Sequence, residues 1–328
     1  MTLASSKLRV AFVGPIACTL SESVLKKVAV PCEAVLTDES GVVAEMASVD
    51  VIVTLAFSKA MGDAARRLRL VQVPGAGLDR IDRTAIPGEA ALANVYGHET
   101  GIAEYAVGAM LALSREFVRL DKAMRRGEWL SPWAIGVDPP APWRELAGKT
   151  LGIVGYGRIG QAVAKRAQAF DMTILATRRN EHQRDPYAAV RPTSFLTEML
   201  SLSDFVVVTA ALTDETKGLI GRTQLGLMKP DAVLVNVARG AVVDEAALYT
   251  ALRERRIGGA ALDVWYSYPT VPGLSNPSRY PFHELDNVLM TPHVSGCTDG
   301  TFEARTSLIA SNIEHVAKGL APLNQLEA

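Results

Sequence analysis

Residues 150–168 read TLGIVGYGRIGQAVAKRAQ, an apolar run that breaks at three spaced glycines and resumes with helical periodicity. Gly155, Gly157 and Gly160 form G-x-G-x-x-G between a strand and a helix, and each has a separate task. The first makes a tight turn, the second lets backbone approach a pyrophosphate, and the third lets helix and sheet pack closely. The amides of the helix N-terminus then face the phosphates. Arg158 and Ile159 open that helix and join the three glycines as candidate cofactor contacts. The six-residue pattern alone is common in unrelated turns, but here it opens a series of strands and helices, the setting a dinucleotide needs.

Around this turn, short apolar runs alternate with helical segments. In the first hundred residues strands are expected at 8–14, 33–37, 50–55, 68–74 and 90–95. A second series is expected at 149–155, 172–177, 203–210, 231–237, 257–264 and 287–291. Runs without polar alternation, separated by helices, imply strands covered on both faces and hence parallel sheets. Between the two series, ETGIAEYAVGAMLALSREFVRLDKAMRRGEW predicts one long helix that starts at a capping Thr100 and ends before Gly127. It is apolar enough to pack against more than one neighbour, a second subunit among the candidates.

With 328 residues, 48% apolar and 21% charged, the chain is an ordinary globular protein large enough for two cores. A net charge of −1 gives no field for nucleic acid or an anionic membrane, and no apolar stretch approaches a membrane span. The start, MTLASSKLRVAFVG, does not read as a signal peptide. Cys18, Cys32 and Cys297 lack metal-ligand spacing, so no metal is expected and the thiols suit a reducing, cytoplasmic compartment.

The second strand of a nucleotide-binding unit normally ends in an acid that holds the adenosine ribose. Here it ends in Thr177, Arg178 and Arg179. Losing the carboxylate removes repulsion toward a 2′-phosphate, and arginine binds phosphate bidentately. NADP is therefore expected to be preferred over NAD. A plain pair of solvated arginines is the bland alternative.

Three later strand ends carry further chemistry. Arg239, in VNVARG, suits a substrate carboxylate. Asp263, in ALDVW, is a candidate contact for the nicotinamide carboxamide. His293, in TPHVSG, is the histidine of five that lies at a strand end in register with the other two.

The order G-Y-G-R-I-G, N-V-A-R-G, A-L-D-V-W, T-P-H-V-S-G resembles the D-2-hydroxyacid dehydrogenase family, and the likeness runs from LVQVPGAGLDRID (70–82) to the C-terminal helix. The resemblance implies an α/β protein in which a Rossmann coenzyme domain, 99–291, is inserted into a flavodoxin-like substrate domain made of 1–98 and 292–328. It implies an active site in the cleft between the two, with the amides of Gly75, Ala76 and Gly77 and the Arg239 guanidinium on the substrate carboxylate. His293 would donate a proton to the keto oxygen of a small 2-keto acid as hydride arrives from NADP or NAD. The long helix would form much of a homodimer interface.

The chain departs from the family at Tyr268. Five residues beyond the strand-end aspartate the family usually carries a glutamate that hydrogen-bonds the histidine, raises its proton affinity and fixes its tautomer. Tyrosine is neutral near pH 7. Related formate dehydrogenases also lack the glutamate, and formate oxidation needs no general acid. The alternatives to a keto-acid reductase are thus hydride transfer without proton transfer, and a non-catalytic NAD(P)-sensing protein. His98 and Glu99 lie where a formate pocket would be, but their alignment assigns them no role.

Overall fold

The computed structural model describes residues 7–131, 133, 142–179, 185–269 and 273–327. The chain forms two compact units, residues 1–98 with 298–328, and residues 99–297. The chain crosses between them after His98 and after Cys297; the sequence had suggested the second crossing at 291/292. His293 consequently belongs to the same unit as the glycine-rich turn.

The first unit begins with strands β1 (Leu8–Val13), β2 (Cys32–Thr37), β3 (Val51–Thr54), β4 (Leu70–Gln72) and β5 (Ala91–Ala93), with helix α1 (Pro15–Leu25) after β1. They lie in the order β2-β1-β3-β4-β5, all parallel, which is the flavodoxin-like winding. Val51, Ile52 and Val53 are fully buried, as strands covered on both faces must be.

The second unit opens with helix α2 (Glu99–Ser114), followed by α3 (Phe117–Arg125). The single long helix expected here is broken, because Glu116 sits in the left-handed region at φ 50°, ψ 36°. Apolar content carried no sign of the break, since side chains on both sides of it remain helix-compatible. Seven parallel strands follow: β6 (Thr150–Val154), β7 (Thr173–Arg178), β8 (Ala189–Pro192), β9 (Phe205–Val208), β10 (Val233–Asn236), β11 (Gly259–Leu262) and β12 (Val288–Met290). Their order, β8-β7-β6-β9-β10-β11-β12, is the doubly wound Rossmann arrangement, with the winding reversing between β6 and β9. β8 was not anticipated; its four residues end in proline and only alternate between half-buried and exposed. Two apolar cores cover the faces of this sheet, one of them packing α2 and helix α4 (Arg158–Gln168).

The chain then returns to the first unit as helix α5 (Asp299–Ala317) and a two-residue antiparallel strand β13 (Gln325–Leu326) beside β5. Among the described residues no helix is long and apolar enough to cross a membrane.

At the amino edge of the second sheet, Asp204 accepts the Thr150 amide at 2.8 Å, Lys229 Nζ at 3.0 Å and an Arg144 nitrogen at 3.3 Å. Burial works to raise this carboxyl, but the amide and the two cations outweigh it and hold it below the usual aspartate range. A depressed acid contributes stability above its unfolded pKa of about 3.9 and loses it as pH falls through the folded value. Asp204→Asn should therefore cost on the order of 1–3 kcal/mol at pH 7, read by urea unfolding. The cost should shrink in acid, where the wild type loses the same interaction.

Candidate active site

In the second sheet the strand ends that carry chemistry lie on its carboxyl edge, where open α/β sheets bind ligands. After β6, Gly155 turns at φ +93°, and a Cβ there would stand 2.5 Å from the Ala210 Cα. Its amide and that of Tyr156 donate to the Thr177 carbonyl at 3.2 and 2.8 Å, which ties the turn to the end of β7. A Cβ on Gly160 would stand 3.0 Å from the Gly155 carbonyl oxygen, whereas one on Gly157 would meet nothing within 4 Å. The turn is thus tight at its first and third glycines and open at the second. No side chain caps the N-terminus of α4. An open backbone approach beside a helix end without a side-chain cap fits a pyrophosphate.

At the end of β7, Thr177 is buried and Arg178 half-buried. Arg179 is exposed and pairs with Glu215 at 3.1 Å, a solvated contact of little energetic weight. The Tyr156 ring is buried, and its hydroxyl donates to Asp185 at 2.6 Å; burial, with that carboxylate, pushes the phenol far above its ordinary range.

Beyond β10, buried Asn236 folds the turn that carries Arg239: its side-chain oxygen accepts the Ala238 amide at 3.1 Å and its nitrogen donates to the Arg239 carbonyl at 3.0 Å. Gly240 follows because a Cβ there would stand 2.4 Å from the Trp265 carbonyl oxygen. Arg239 is half-buried, and its charge reaches the Tyr268 hydroxyl.

Beyond β11, Asp263 is fully buried. One of its oxygens accepts Thr291 Oγ1 at 2.6 Å and the Val294 amide at 2.8 Å, and the other accepts the Ser295 amide at 2.9 Å. The Thr291 carbonyl accepts the Trp265 indole at 2.8 Å and the His293 amide at 3.1 Å. Between these anchors His293 is held at φ +59°, a left-handed conformation that costs an L residue roughly 1–2 kcal/mol. A carboxylate has about four lone-pair positions, and three of Asp263's serve the histidine loop. The nicotinamide contact expected for it has at most the remaining one.

Tyr268 and His293 meet. The Tyr268 hydroxyl lies 2.9 Å from His293 Nδ1 and 3.3 Å from the Trp265 amide nitrogen, which donates to it. Burial pushes the phenol up; the Trp265 amide and Arg239 pull it down, and Asp263 raises it. The net rise keeps Tyr268 neutral at ordinary pH. Gly75, Ala76 and Gly77 follow β4 in the other unit, half-buried, with the Gly75 carbonyl accepting the Val95 amide at 3.2 Å and the Ala76 carbonyl accepting Asn94 Nδ2 at 3.3 Å.

Three residues with a part in this geometry were not singled out from the sequence. Asn236 carried a readable sign, since a strand-end asparagine two residues before a turn commonly bonds its own backbone. Thr291 and Tyr105, whose hydroxyl lies 2.7 Å from Thr291 Oγ1, carried none. Their roles depend on contacts between distant segments.

Residues 107–295 match the model of the D-isomer specific 2-hydroxyacid dehydrogenase NAD-binding domain. The chain is 39% identical to a glyoxylate reductase of Pyrococcus furiosus over 293 residues, covering 84% of this chain and 81% of that protein. It is 35% identical to a D-3-phosphoglycerate dehydrogenase of Methanocaldococcus jannaschii over 82% of this chain and 50% of that one. Among solved structures, the NADPH-dependent glyoxylate/hydroxypyruvate reductase of Sinorhizobium meliloti in complex with NADP and malonate superimposes with a TM-score of 0.82. It is 29% identical, with 98% of this chain and 97% of that one covered.

Asp263→Ala leaves the Val294 and Ser295 amides and the Thr291 hydroxyl without their acceptor. The expected loss is on the order of 3 kcal/mol in urea unfolding, with nucleotide binding retained because the glycine-rich turn is untouched. Equal loss of both would show that the two regions are not independent.

Proposed function

The chain belongs to the D-isomer specific 2-hydroxyacid dehydrogenase family, and on that premise we propose that it is an NADP-preferring reductase of small 2-keto acids, of the glyoxylate and hydroxypyruvate kind. The observation that carries the reading is the histidine loop: His293 is held in a strained conformation by Asp263, with its Nδ1 engaged by Tyr268. Strain of this kind persists where surrounding bonds over-determine it and clusters at functional sites, which supports an enzyme over a protein that only binds nucleotide.

In this reading the bound dinucleotide supplies a hydride to the carbonyl carbon. With Nδ1 occupied, His293 presents Nε2 as the nitrogen that hands a proton to the keto oxygen. The Arg239 guanidinium receives the substrate carboxylate as a two-pronged donor. By the family resemblance the amides of Gly75, Ala76 and Gly77 are further candidate donors for a substrate carboxylate. Gly155, Gly157, Arg158, Ile159 and Gly160 hold the pyrophosphate, and Thr177, Arg178 and Arg179 border the adenosine ribose. Arg178 is the chosen partner for a 2′-phosphate, because it is half-buried at the strand end and no carboxylate stands beside it in sequence.

A substrate panel read by nicotinamide absorbance tests the assignment. Glyoxylate and hydroxypyruvate should be reduced with NADPH, while turnover of formate alone would favour the hydride-only reaction, which the neutral Tyr268 also suits. No turnover of any of these, with NADPH bound, would favour a sensor.

NADPH should bind more tightly than NADH. Arg178→Ala should weaken NADPH by about ten- to hundredfold, the loss of one charge-assisted contact of roughly 1.5–3 kcal/mol, and leave NADH nearly unchanged. Equal losses for both, measured by fluorescence titration, would remove the 2′-phosphate argument.

The same reading includes a cytoplasmic homodimer. Three free cysteines, Cys18, Cys32 and Cys297, suit a reducing compartment. Helix α3 and the segment after it expose Phe117, Val118, Met124, Trp129 and Trp133, apolar side chains that a second copy of the chain would cover. Light scattering should return the mass of two chains, and Val118→Asp with Met124→Glu should lower it to one.

A further inference from the structure

Hydrogen-bond donors and acceptors around the Tyr268 oxygen can be counted. A backbone N–H only donates, so the Trp265 amide, 3.3 Å away, occupies a lone pair of the phenol oxygen. The phenol keeps its own proton, because burial and Asp263 outweigh the Trp265 amide and Arg239 and hold its pKa up. That proton has an acceptor at 2.9 Å, His293 Nδ1. A glutamate at this position would do the reverse, since an ionised carboxylate only accepts and must take a proton from Nδ1.

We propose that Tyr268 is a positioning residue that donates its hydroxyl proton to His293 Nδ1, so that the resting imidazole is neutral and carries its proton on Nε2. The proposal rests on the reading of His293 as proton donor and adds how that donor is prepared. In the resting enzyme Nε2–H already points its proton outward from the pair. The proton that makes the ring cationic therefore enters at Nδ1, on the side of a tyrosine that is 48% exposed and so reaches solvent. Tyr268 then turns from donor to acceptor, as a hydroxyl can and a carboxylate cannot. One turnover takes one proton in from solvent at Nδ1, one proton out from Nε2 to the keto oxygen and one hydride onto the carbonyl carbon, which leaves the ring with its proton on Nδ1. After product leaves, Nε2 takes a proton from solvent and Nδ1 gives one up, with no net change, and the resting tautomer returns. Of the charges that bear on the Tyr268 hydroxyl, Arg239 lowers its pKa and Asp263 raises it, and neither is changed by substitution at 268.

The test is a two-bond proton–nitrogen spectrum of the full chain with 15N-labelled histidine near pH 8, about 1.5 units above the ordinary imidazole range. His293 is assigned by the signals lost in His293→Asn. The wild type should show a bare Nδ1 and a protonated Nε2. In Tyr268→Phe the two nitrogens should move toward averaged shifts, as water does not choose between tautomers firmly. In Tyr268→Glu the pattern should invert, and the falling limb of the pH profile for glyoxylate reduction should move up by about 1 unit or more, because the carboxylate favours the imidazolium.

A protonated Nδ1 in the wild type overturns the proposal, and so does a Tyr268→Phe spectrum identical to the wild type. The proton-donor reading is judged separately. Full glyoxylate reduction by His293→Asn would end that reading while leaving the tautomer measurement intact.

Discussion

The buried carboxylate of Asp263 is the point from which the site is built. It lies at the end of a central strand, without solvent, and an isolated charge there would be prohibitively costly. Three donors from residues 291–295 offset that cost. The dependence is mutual: the loop supplies the charge with these donors, and the charge holds the loop in a conformation His293 would not choose. Trp265 and Thr291 extend the anchor, one through its indole and the other through a hydroxyl that also meets Tyr105 on α2. The geometry of His293 is thereby tied to the sheet rather than to a flexible connection.

Against this rigid frame the substitution at 268 changes charge while keeping contact. A glutamate would add a negative charge beside the imidazole. Tyr268 keeps a hydrogen bond of ordinary length but stays neutral, since burial opposes ionisation. A histidine with a neutral partner is oriented without being electrostatically loaded, so orientation and proton affinity, which one carboxylate would set together, are separated here.

Much of the architecture was legible in one sequence because it follows from local repetition. Unbroken apolar strands between helices require two covered sheets, and glycines at 155, 157 and 160 admit few roles between a strand and a helix. The strand β8 and the helix break at Glu116 were not legible. The first is too short and too weakly patterned, and the second is a backbone choice that helix-compatible side chains conceal. The strand-end positions of Arg239, Asp263 and His293 were readable, but the bonds from Asp263 to the histidine loop were not: a carboxylate's partners come from wherever the fold returns the chain.

The sequence by itself determined the two parallel sheets, the glycine-rich turn and the residue types at each strand end, because hydrophobic period and turn chemistry are local. Only the tertiary structure decided that Asp263 spends its lone pairs on the histidine loop, and that the tyrosine at 268 reaches His293 Nδ1. Hydrogen bonds between segments some thirty residues apart depend on where strands β11 and β12 end relative to each other. No local pattern records that distance.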